Sequence, residues 1–220
     1  MHNIIDNLIL IEKNLKEKLN NNNIPNIIAV SKTFSISEIL PLINYGHKHF
    51  GENKVQEALE KWTTVKDDFS HIKLHMIGAL QTNKVKYAVR LFDYIHSLDS
   101  VKLAEKISVE QKKINKSLKI FIQVNIGNEK QKSGVEIESL ENLHEICVKK
   151  LDLDIIGLMC LPPKNYDNPK YFKEMKNLAS KIGVKELSMG MSADYISASS
   201  QGSTFVRVGS NIFGERTIKS

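Results

Sequence analysis

The chain has 220 residues and a mass of 25.0 kDa, with 41% hydrophobic and 25% charged residues, as is typical of one globular domain. No run approaches the roughly 20 apolar residues of a membrane-spanning helix, and charges interrupt the apolar residues of the N-terminus, which excludes a secretory signal. We therefore expect a cytoplasmic protein without a membrane partner. The spacing of Cys147 and Cys160 excludes a disulfide scaffold, and no metal site is predicted.

The formal net charge is +6, because 31 basic residues outnumber 25 acidic ones, and the pI is about 9.1. A basic chain can indicate a nucleic-acid partner. Here the lysines are spread along the whole chain, and the arginines are Arg90, Arg207 and Arg216. This pattern indicates a general enrichment in lysine, and we expect no nucleic-acid partner. An arginine retained in such a chain suggests a need for its bidentate geometry.

Hydrophobic periodicity divides the chain into alternating helices and strands. The first helix covers about Met1–Asn20, and a second begins with a capping box formed by Ser35 and Glu38. The predicted strands are Ile27–Ser31, His47–Phe50, Leu74–Ile77, Tyr94–Ser97, Lys119–Val124, Ile155–Met159, Glu186–Ser188 and Thr204–Val208. The helices between them are predicted at about Ser35–Asn44, Lys54–Thr64, Asn83–Arg90, Val101–Asn115, Ile137–Lys149, Pro169–Ile182 and Ala193–Ser199.

Eight short apolar strands separated by helices are typical of a parallel sheet. The pattern predicts an α/β fold, a single (β/α)8 TIM barrel with an extra N-terminal helix. An open doubly wound sheet is the alternative, but no GxGxxG motif follows the first strand. No linker divides the chain, so we expect residues 1–220 to form one domain in which residues 1–22 form a helix that packs on the barrel.

In a TIM barrel, chemistry takes place where the strands end and the loops begin. Lys32 directly follows the first strand, where its amine would face the mouth of the barrel. Partial desolvation there favours the neutral amine that Schiff-base chemistry requires. From position alone, an ordinary lysine at a strand end is an equally good interpretation.

Two turns of small residues, SMGMS and VRVGS, follow the seventh and eighth strands, where this fold often binds phosphate. Gly190 and Gly209 allow a close approach of the backbone, and Ser192 and Ser210 add hydroxyl groups. A short helix beginning after Ser210 would favour an anion at its N-terminus. The two turns together predict a phosphate site.

A lysine opposite a phosphate site fits a Schiff-base aldolase acting on a sugar phosphate, and equally a protein that binds pyridoxal 5′-phosphate (PLP). Arg207, two residues before Gly209, is expected to face the interior. Beside a pyridine nitrogen, this permanent cation would keep the nitrogen unprotonated and weaken the electron sink. A structural Arg207 paired with a barrel carboxylate is the alternative, and the residues alone leave these interpretations open.

Eight segments, in order from about Ile27 to Arg216, resemble the YggS/PROSC family of PLP-binding, PLP-homeostasis proteins. The segments are AVSKTFS, FGENKVQEALEK, HMIGALQTNK, IHSLDS, QVNIGNEKQKSG, GLMCLPP, LSMGMSADY and VRVGSNIFGER. The resemblance implies PLP as the cofactor. It also implies a single-domain barrel similar to the N-terminal domain of alanine racemase, without that enzyme's second domain.

The resemblance implies a role for each matching residue. Lys32 matches the lysine that holds PLP as a Schiff base, and Arg207 matches the arginine beside the pyridine nitrogen. Ser192, Gly209 and Ser210 match the loops that bind the phosphate.

Three further residues, Asn53, Gly78 and Met191, match positions that face the cofactor or line its pocket. Four residues of the third segment receive no chemistry from the resemblance, namely His75, Gln81, Asn83 and Lys84. Because His75 alternates within a strand, we expect a structural or supporting histidine there and not a base.

Racemisation in the manner of alanine racemase needs an acid/base group on each face of the cofactor. There a lysine supplies one group, and a tyrosine from the second domain of a partner subunit supplies the other. The sequence ends four residues after Arg216, and we expect no second domain. Nothing in the spacing of Tyr45, Tyr87 and Tyr195 places a tyrosine over the cofactor.

The resemblance therefore implies a carrier or regulator in PLP homeostasis, without efficient turnover. A PLP-dependent amino-acid racemase is the alternative. The expected partners are PLP itself and PLP-dependent apo-enzymes that receive it, and we expect a monomer or a weak homodimer.

Overall fold

The computed structural model describes residues 3–20, 22–129, 131–163 and 168–214, and in them eight parallel strands close into a barrel. Each strand pairs with the next one along the chain, and the eighth pairs with the first. The strands are β1 (Asn26–Val30), β2 (His49–Glu52), β3 (Lys73–Met76), β4 (Tyr94–Leu98), β5 (Lys119–Val124), β6 (Ile155–Cys160), β7 (Glu186–Met191) and β8 (Phe205–Val208). The prediction of a TIM barrel is confirmed, and the open doubly wound sheet is excluded.

Helices surround the barrel. They are α1 (Ile4–Lys18), α2 (Ile36–Tyr45), α3 (Val55–Asp68), α4 (Val85–Leu91), α5 (Val101–Lys113), α6 (Leu140–Glu145), α7 (Asn168–Ile182), α8 (Tyr195–Ser200) and α9 (Ser210–Phe213). The predicted capping box is present at the start of α2, where Ser35 and Glu38 satisfy each other's backbone N–H groups. None of the described helices combines the length and the apolar character needed to cross a bilayer.

Some boundaries differ from the prediction. Strand β2 lies two residues further along the chain than predicted, and β7 is three residues longer. From the sequence, Gly190 indicates a turn. In the structure its φ is 89°, yet β7 continues through it with a shift in its register against β8. A Cβ at Gly190 would lie 2.6 Å from that of Ala198, so α8 packs directly on this glycine. The helix predicted over Ile137–Lys149 consists of a 3-10 turn, α6 and a π-helical turn at Ile146–Lys150.

The N-terminal helix α1 packs on the outside of the barrel. Its apolar face buries Leu8, Ile11 and Leu15, and the side-chain amide of Asn7 donates to the carbonyl of Ile212 at 2.8 Å. The helix therefore contacts the last described turn of the chain. Parts of the predictions lie outside the described residues, namely Met1, His2, Asn21 and Arg216.

Apolar side chains fill the barrel interior below the C-terminal ends of the strands. They form a cluster of their own, separate from the layer between strands and helices, and consist of Ile28, Tyr94, Phe121, Met159 and Phe205. This cluster fills the barrel below the C-terminal ends of the strands. The open space therefore lies at those ends, where the predicted site residues lie.

Candidate active site

A cavity of about 650 Å³ opens at the C-terminal ends of the strands. It is lined by Val30, Lys32, Phe34, Asn53, Ile77, Leu161, Met191, Ser192, Ala193, Arg207, Gly209, Ser210 and Gly214. Of the eight predicted site residues, all but Gly78 lie in this lining. Apart from Met191, the sequence analysis assigned no role to the apolar side chains of the walls, which come from positions at or just beyond the strand ends.

Gly78 acts on the cavity indirectly. A Cβ at this position would lie 2.3 Å from the carbonyl oxygen of Asn53 and 2.8 Å from its Cα. Atoms that are not bonded do not approach so closely, so only glycine lets the backbone of Asn53 pass here. Gly78 is not among the residues that line the cavity, and its contact is with the backbone of Asn53, which does line it.

Lys32 lies in a short loop that its neighbours hold in place. Thr33 has φ at 70°, a left-handed conformation that a β-branched residue rarely adopts. Its N–H donates to Glu57 at 2.6 Å, and Lys61 links the same carboxylate (3.2 Å) to the carbonyl of Ser31 (2.9 Å). The backbone on both sides of Lys32 is therefore fixed by α3.

Glu52 anchors this network at the end of β2. Its carboxylate is fully buried, and Oε1 accepts hydrogen bonds from Ser31 Oγ (2.7 Å), Lys61 Nζ (2.9 Å) and Trp62 Nε1 (2.9 Å). A buried carboxylate is stable only with such donors. The sequence analysis missed Glu52 and Lys61, because the fold brings Ser31, Glu52 and Lys61 together from separate parts of the sequence, and only the Glu57–Lys61 pair has a short spacing.

We expect Lys61→Met to lower the free energy of unfolding by about 3 kcal/mol, because removing one partner of a buried ion pair leaves the other charge uncompensated. Urea denaturation at pH 7 measures this change. Lys13→Met is the matched control, since it breaks an ion pair with Glu17 whose side chains are 68% and 62% exposed, and it should cost less than about 1 kcal/mol. Equal losses in the two variants would contradict the anchoring role of Lys61.

The turns after β7 and β8 contact each other at one side of the cavity. Ser192 Oγ accepts a hydrogen bond from the N–H of Gly209 at 3.3 Å, and the side chain of Asn211 donates to the carbonyl of Ser192 at 3.0 Å. Helix α9 begins at Ser210, as predicted. In its first turn, the N–H groups of Ile212 and Phe213 donate to the carbonyl of Gly209 at 2.9 and 3.0 Å, which leaves those of Ser210 and Asn211 at the start of the helix. This side of the cavity therefore concentrates hydrogen-bond donors suited to an anion.

Arg207 lies at the floor of the cavity and is only 4% exposed. Its Nη1 donates to both the carbonyl and the hydroxyl of Ser188, each at 2.7 Å, and its Nη2 donates to the carbonyl of Cys160 at 2.8 Å. Among the described residues, no carboxylate forms an ion pair with Arg207, in contrast to the structural alternative from the sequence. Burial lowers the pKa of Arg207, but a guanidinium remains a cation at neutral pH.

Behind Arg207, three histidines and a serine form a continuous hydrogen-bonded series through the barrel interior. Ser188 Oγ lies 2.9 Å from His96 Nδ1, His96 Nε2 lies 2.9 Å from His75 Nδ1, and His75 Nε2 lies 2.9 Å from His49 Nδ1. His75 is fully buried within this series and does not line the cavity, and its supporting role stays a prediction. His49 and His96 were not predicted, because alternation along three different strands does not show which side chains meet inside the barrel.

Burial keeps these imidazoles neutral. It lowers the pKa of His49 to about 4 and that of His75 and His96 well below the ordinary value of 6.5. Nearby cations add to the effect, Lys48 and Lys73 at His49 and Arg207 at His96. At neutral pH, the interior of the barrel therefore contains Arg207 as its cation and uncharged histidines beside it.

The geometry suits a flat ring with an electrophilic carbonyl and an anionic group. Lys32 supplies a primary amine, the turns at Ser192 and Ser210 supply donors for the anion, and apolar side chains such as Ile77 and Leu161 form the walls. The described part of the chain contains no group of three or more His, Cys, Asp or Glu placed to bind a metal ion.

The sequence matches the alanine racemase N-terminal domain family over residues 7–217. It is 39% identical to the pyridoxal phosphate homeostasis protein of Aquifex aeolicus, with 88% of each chain covered. It is 36% identical to the pyridoxal phosphate homeostasis protein of Haemophilus influenzae, with 97% of this chain and 96% of the relative covered.

Solved structures show the same architecture. PipY of Synechococcus elongatus without PLP is 31% identical with a TM-score of 0.88, covering 96% of this chain and all of PipY. PipY with PLP bound covers the same shares at 31% identity, with a TM-score of 0.85. An alanine racemase of Clostridium difficile has a TM-score of 0.71 at 15% identity, and this chain, 99% covered, matches 58% of the racemase. The racemase shares the fold alone.

Proposed function

Because the chain belongs to the alanine racemase N-terminal domain family, and within it to the pyridoxal phosphate homeostasis proteins, we propose that it is a cytoplasmic PLP carrier. It binds PLP, holds it as a Schiff base and releases it to PLP-dependent apo-enzymes. The observation that carries this proposal is the cavity in which Lys32, Arg207, Ser192 and Ser210 meet. The PLP-bound structure of PipY supports PLP as the ligand.

The residues present fit the parts of PLP. Lys32 Nζ condenses with the aldehyde, and one water molecule leaves as the C=N bond forms. The hydroxyl groups of Ser192 and Ser210 and the N–H groups of Ser210 and Asn211 bind the phosphate. The apolar walls, which include Met191, cover the ring. Asn53 faces it from the end of β2.

The residues of the cavity suit the binding of PLP better than they suit catalysis of racemisation. PLP supplies an electron sink when its pyridine nitrogen is protonated, and the Arg207 cation beside that nitrogen opposes protonation. Among the described lining residues, Lys32 supplies the one primary amine, and none is a histidine, a tyrosine, a cysteine or a carboxylic acid. Tyr45 and Tyr87 are exposed elsewhere on the surface, and the buried Tyr195 does not line the cavity. Racemisation requires acid/base groups on both faces of the ring, so we propose no efficient turnover.

A panel of single-enantiomer amino acids tests this absence of turnover. We expect the PLP-loaded protein to racemise none of them faster than free PLP, because a second acid/base group is missing from the described lining. Chiral chromatography after prolonged incubation measures the product. Racemisation of any amino acid well above the rate with free PLP would contradict the carrier and favour the racemase.

Transfer to an apo-enzyme tests delivery. The PLP-loaded protein is mixed with a PLP-dependent apo-enzyme in the presence of a trap for free PLP. We expect the apo-enzyme to regain activity faster than with the same amount of free PLP, since the cavity shields the aldehyde from the trap. Equal or slower recovery would contradict the delivery role.

A further inference from the structure

The hydrogen-bonded series of His49, His75, His96 and Ser188, here called the histidine column, connects Arg207 with the opposite end of the barrel. His49 is half-buried and lines a second cavity, of about 350 Å³, at the N-terminal ends of the strands. None of the three histidines lines the upper cavity. The proposed binding of PLP gives these polar side chains no role, although polar groups inside a barrel cost free energy unless they are paired.

The hydroxyl of Ser188 sets the direction of the column. A guanidinium can only donate, so Ser188 Oγ accepts the hydrogen bond from Arg207 Nη1. Among the described residues, the acceptor that remains for the hydroxyl hydrogen is His96 Nδ1, at 2.9 Å. If His96 donated instead, a buried hydroxyl hydrogen would be left without an acceptor, an arrangement that folded proteins avoid.

The direction of each hydrogen bond then determines the direction of the next one along the column. A neutral imidazole has one donor and one acceptor, so His96, which accepts at Nδ1, carries its hydrogen on Nε2 and donates to His75 Nδ1. By the same argument, His75 donates from Nε2 to His49 Nδ1, and His49 carries its own hydrogen on Nε2. All hydrogens of the column therefore point away from Arg207, and all lone pairs point toward it.

Aromatic stacking holds the rings in the planes that this chain requires. His75 stacks on Tyr94 with ring centroids 4.2 Å apart and planes 13° apart, and His96 stacks on Phe121 at 4.2 Å and 19°. A protonated imidazole would present two donors and break one link of the chain. Burial, which lowers the pKa of both histidines, prevents this at neutral pH.

We propose that the histidine column positions Arg207: a one-way chain of three neutral Nε2–H imidazoles fixes the Ser188 hydroxyl as an acceptor and thereby holds the guanidinium at the cavity floor. The carbonyl of Cys160 holds Nη2, and the oriented oxygen of Ser188 holds Nη1, so that the plane of the guanidinium is defined. The consequence for the cofactor rests on the proposed function, but the direction of the column does not require PLP.

Nitrogen NMR of the histidine side chains in PLP-free protein tests the direction. Protonated and unprotonated ring nitrogens differ in chemical shift, so the spectrum identifies the tautomer of each histidine. At pH 7, we expect the Nε2–H tautomer alone for His49, His75 and His96. An Nδ1–H tautomer at His96 in the wild-type protein would overturn the proposal, and this measurement depends on no variant.

Variants then test the coupling to Arg207. In Arg207→Met, the Ser188 oxygen no longer accepts a hydrogen bond from the guanidinium and can accept one from His96 instead. We therefore expect His96 and His75 to populate both tautomers. Ser188→Ala should likewise mix the tautomers of His96, and Ser188→Thr, which restores the hydroxyl, should restore the single tautomer. His144, on α6 outside the column, is the internal control. Unchanged tautomers in both Arg207→Met and Ser188→Ala would overturn the proposal.

The cofactor provides a second readout. With PLP bound, we expect the pH titration of its absorbance to shift in Ser188→Ala and to return to the wild-type curve in Ser188→Thr, since Arg207 regains its fixed orientation. A purely structural Ser188 would not move this titration, and an unshifted curve would overturn the positioning role. A protein that binds no PLP would refute the proposed function while leaving the NMR result intact, so the two failures are distinguishable.

Discussion

Replacement of Lys32 by alanine is expected to abolish the covalent attachment of PLP. The wild-type protein should show an absorbance band near the edge of the visible range, and borohydride should fix PLP to the peptide that contains Lys32. Without the amine, no C=N bond forms, and Lys32→Ala should show only the spectrum of free or non-covalently bound PLP. The expected effect is complete loss, because no other lysine of the described chain lines the cavity.

Lys86→Ala is the matched control for this experiment. Lys86 is an exposed lysine on α4, outside the cavity lining, and its replacement should leave both the absorbance band and the labelled peptide unchanged. Absorbance spectra and peptide mass analysis after reduction measure the two effects. An unchanged imine band in Lys32→Ala, or label recovered on a different lysine, would contradict the assignment of Lys32.

The sequence predicts most of the site because the barrel topology constrains it. Once eight strands alternate with helices, the residues after each strand must meet at one end, whatever their separation in the chain. For this reason we expected Lys32 after β1, Ser192 after β7 and Arg207 within β8 to lie close together. All three line the cavity. The capping box at the start of α2 was predictable because its two partners are three residues apart.

Features that depend on packing across the barrel were not predictable in this way. Gly78 follows a strand just as Lys32 does, but the structure places it against the backbone of Asn53 and not in the lining of the cavity. The buried partners of Glu52 come from α3 and from Ser31, just after β1, and the histidine column joins side chains of β2, β3, β4 and β7. Alternation along one strand shows which side faces inward, but not which inward side chains touch.

Mild acid is expected to destabilise the protein, because two fully buried and two half-buried histidines are neutral in the folded state. Burial lowers the pKa of His47 and His49 to about 4, and that of His75 and His96 well below 6.5. Since the pKa is lower in the folded state, the unfolded chain binds more protons below pH 6.5. The stabilisation is therefore complete above an unfolded-state pKa of about 6.5 and is lost as the pH falls toward the folded-state values.

The two fully buried histidines, His75 and His96, contribute most of this loss of stability. Each adds up to about 1.4 kcal/mol per pH unit to the slope below the unfolded-state pKa, which is the limit for one proton. His47 and His49 are partly exposed, so they contribute less to the pH dependence of the free energy of unfolding.

Urea denaturation at several pH values between 7 and 4.5 measures this slope. His96→Gln removes one titrating group, so the free energy of unfolding should depend on pH less steeply, by about 1.4 kcal/mol per pH unit. The comparison is between slopes, so a constant loss of stability from the substitution does not affect it. His144→Gln, at a partly buried site on α6, is the control and should leave most of the slope intact. A stability independent of pH in this range, or an identical slope in His96→Gln, would show that the column is not neutral in the folded protein.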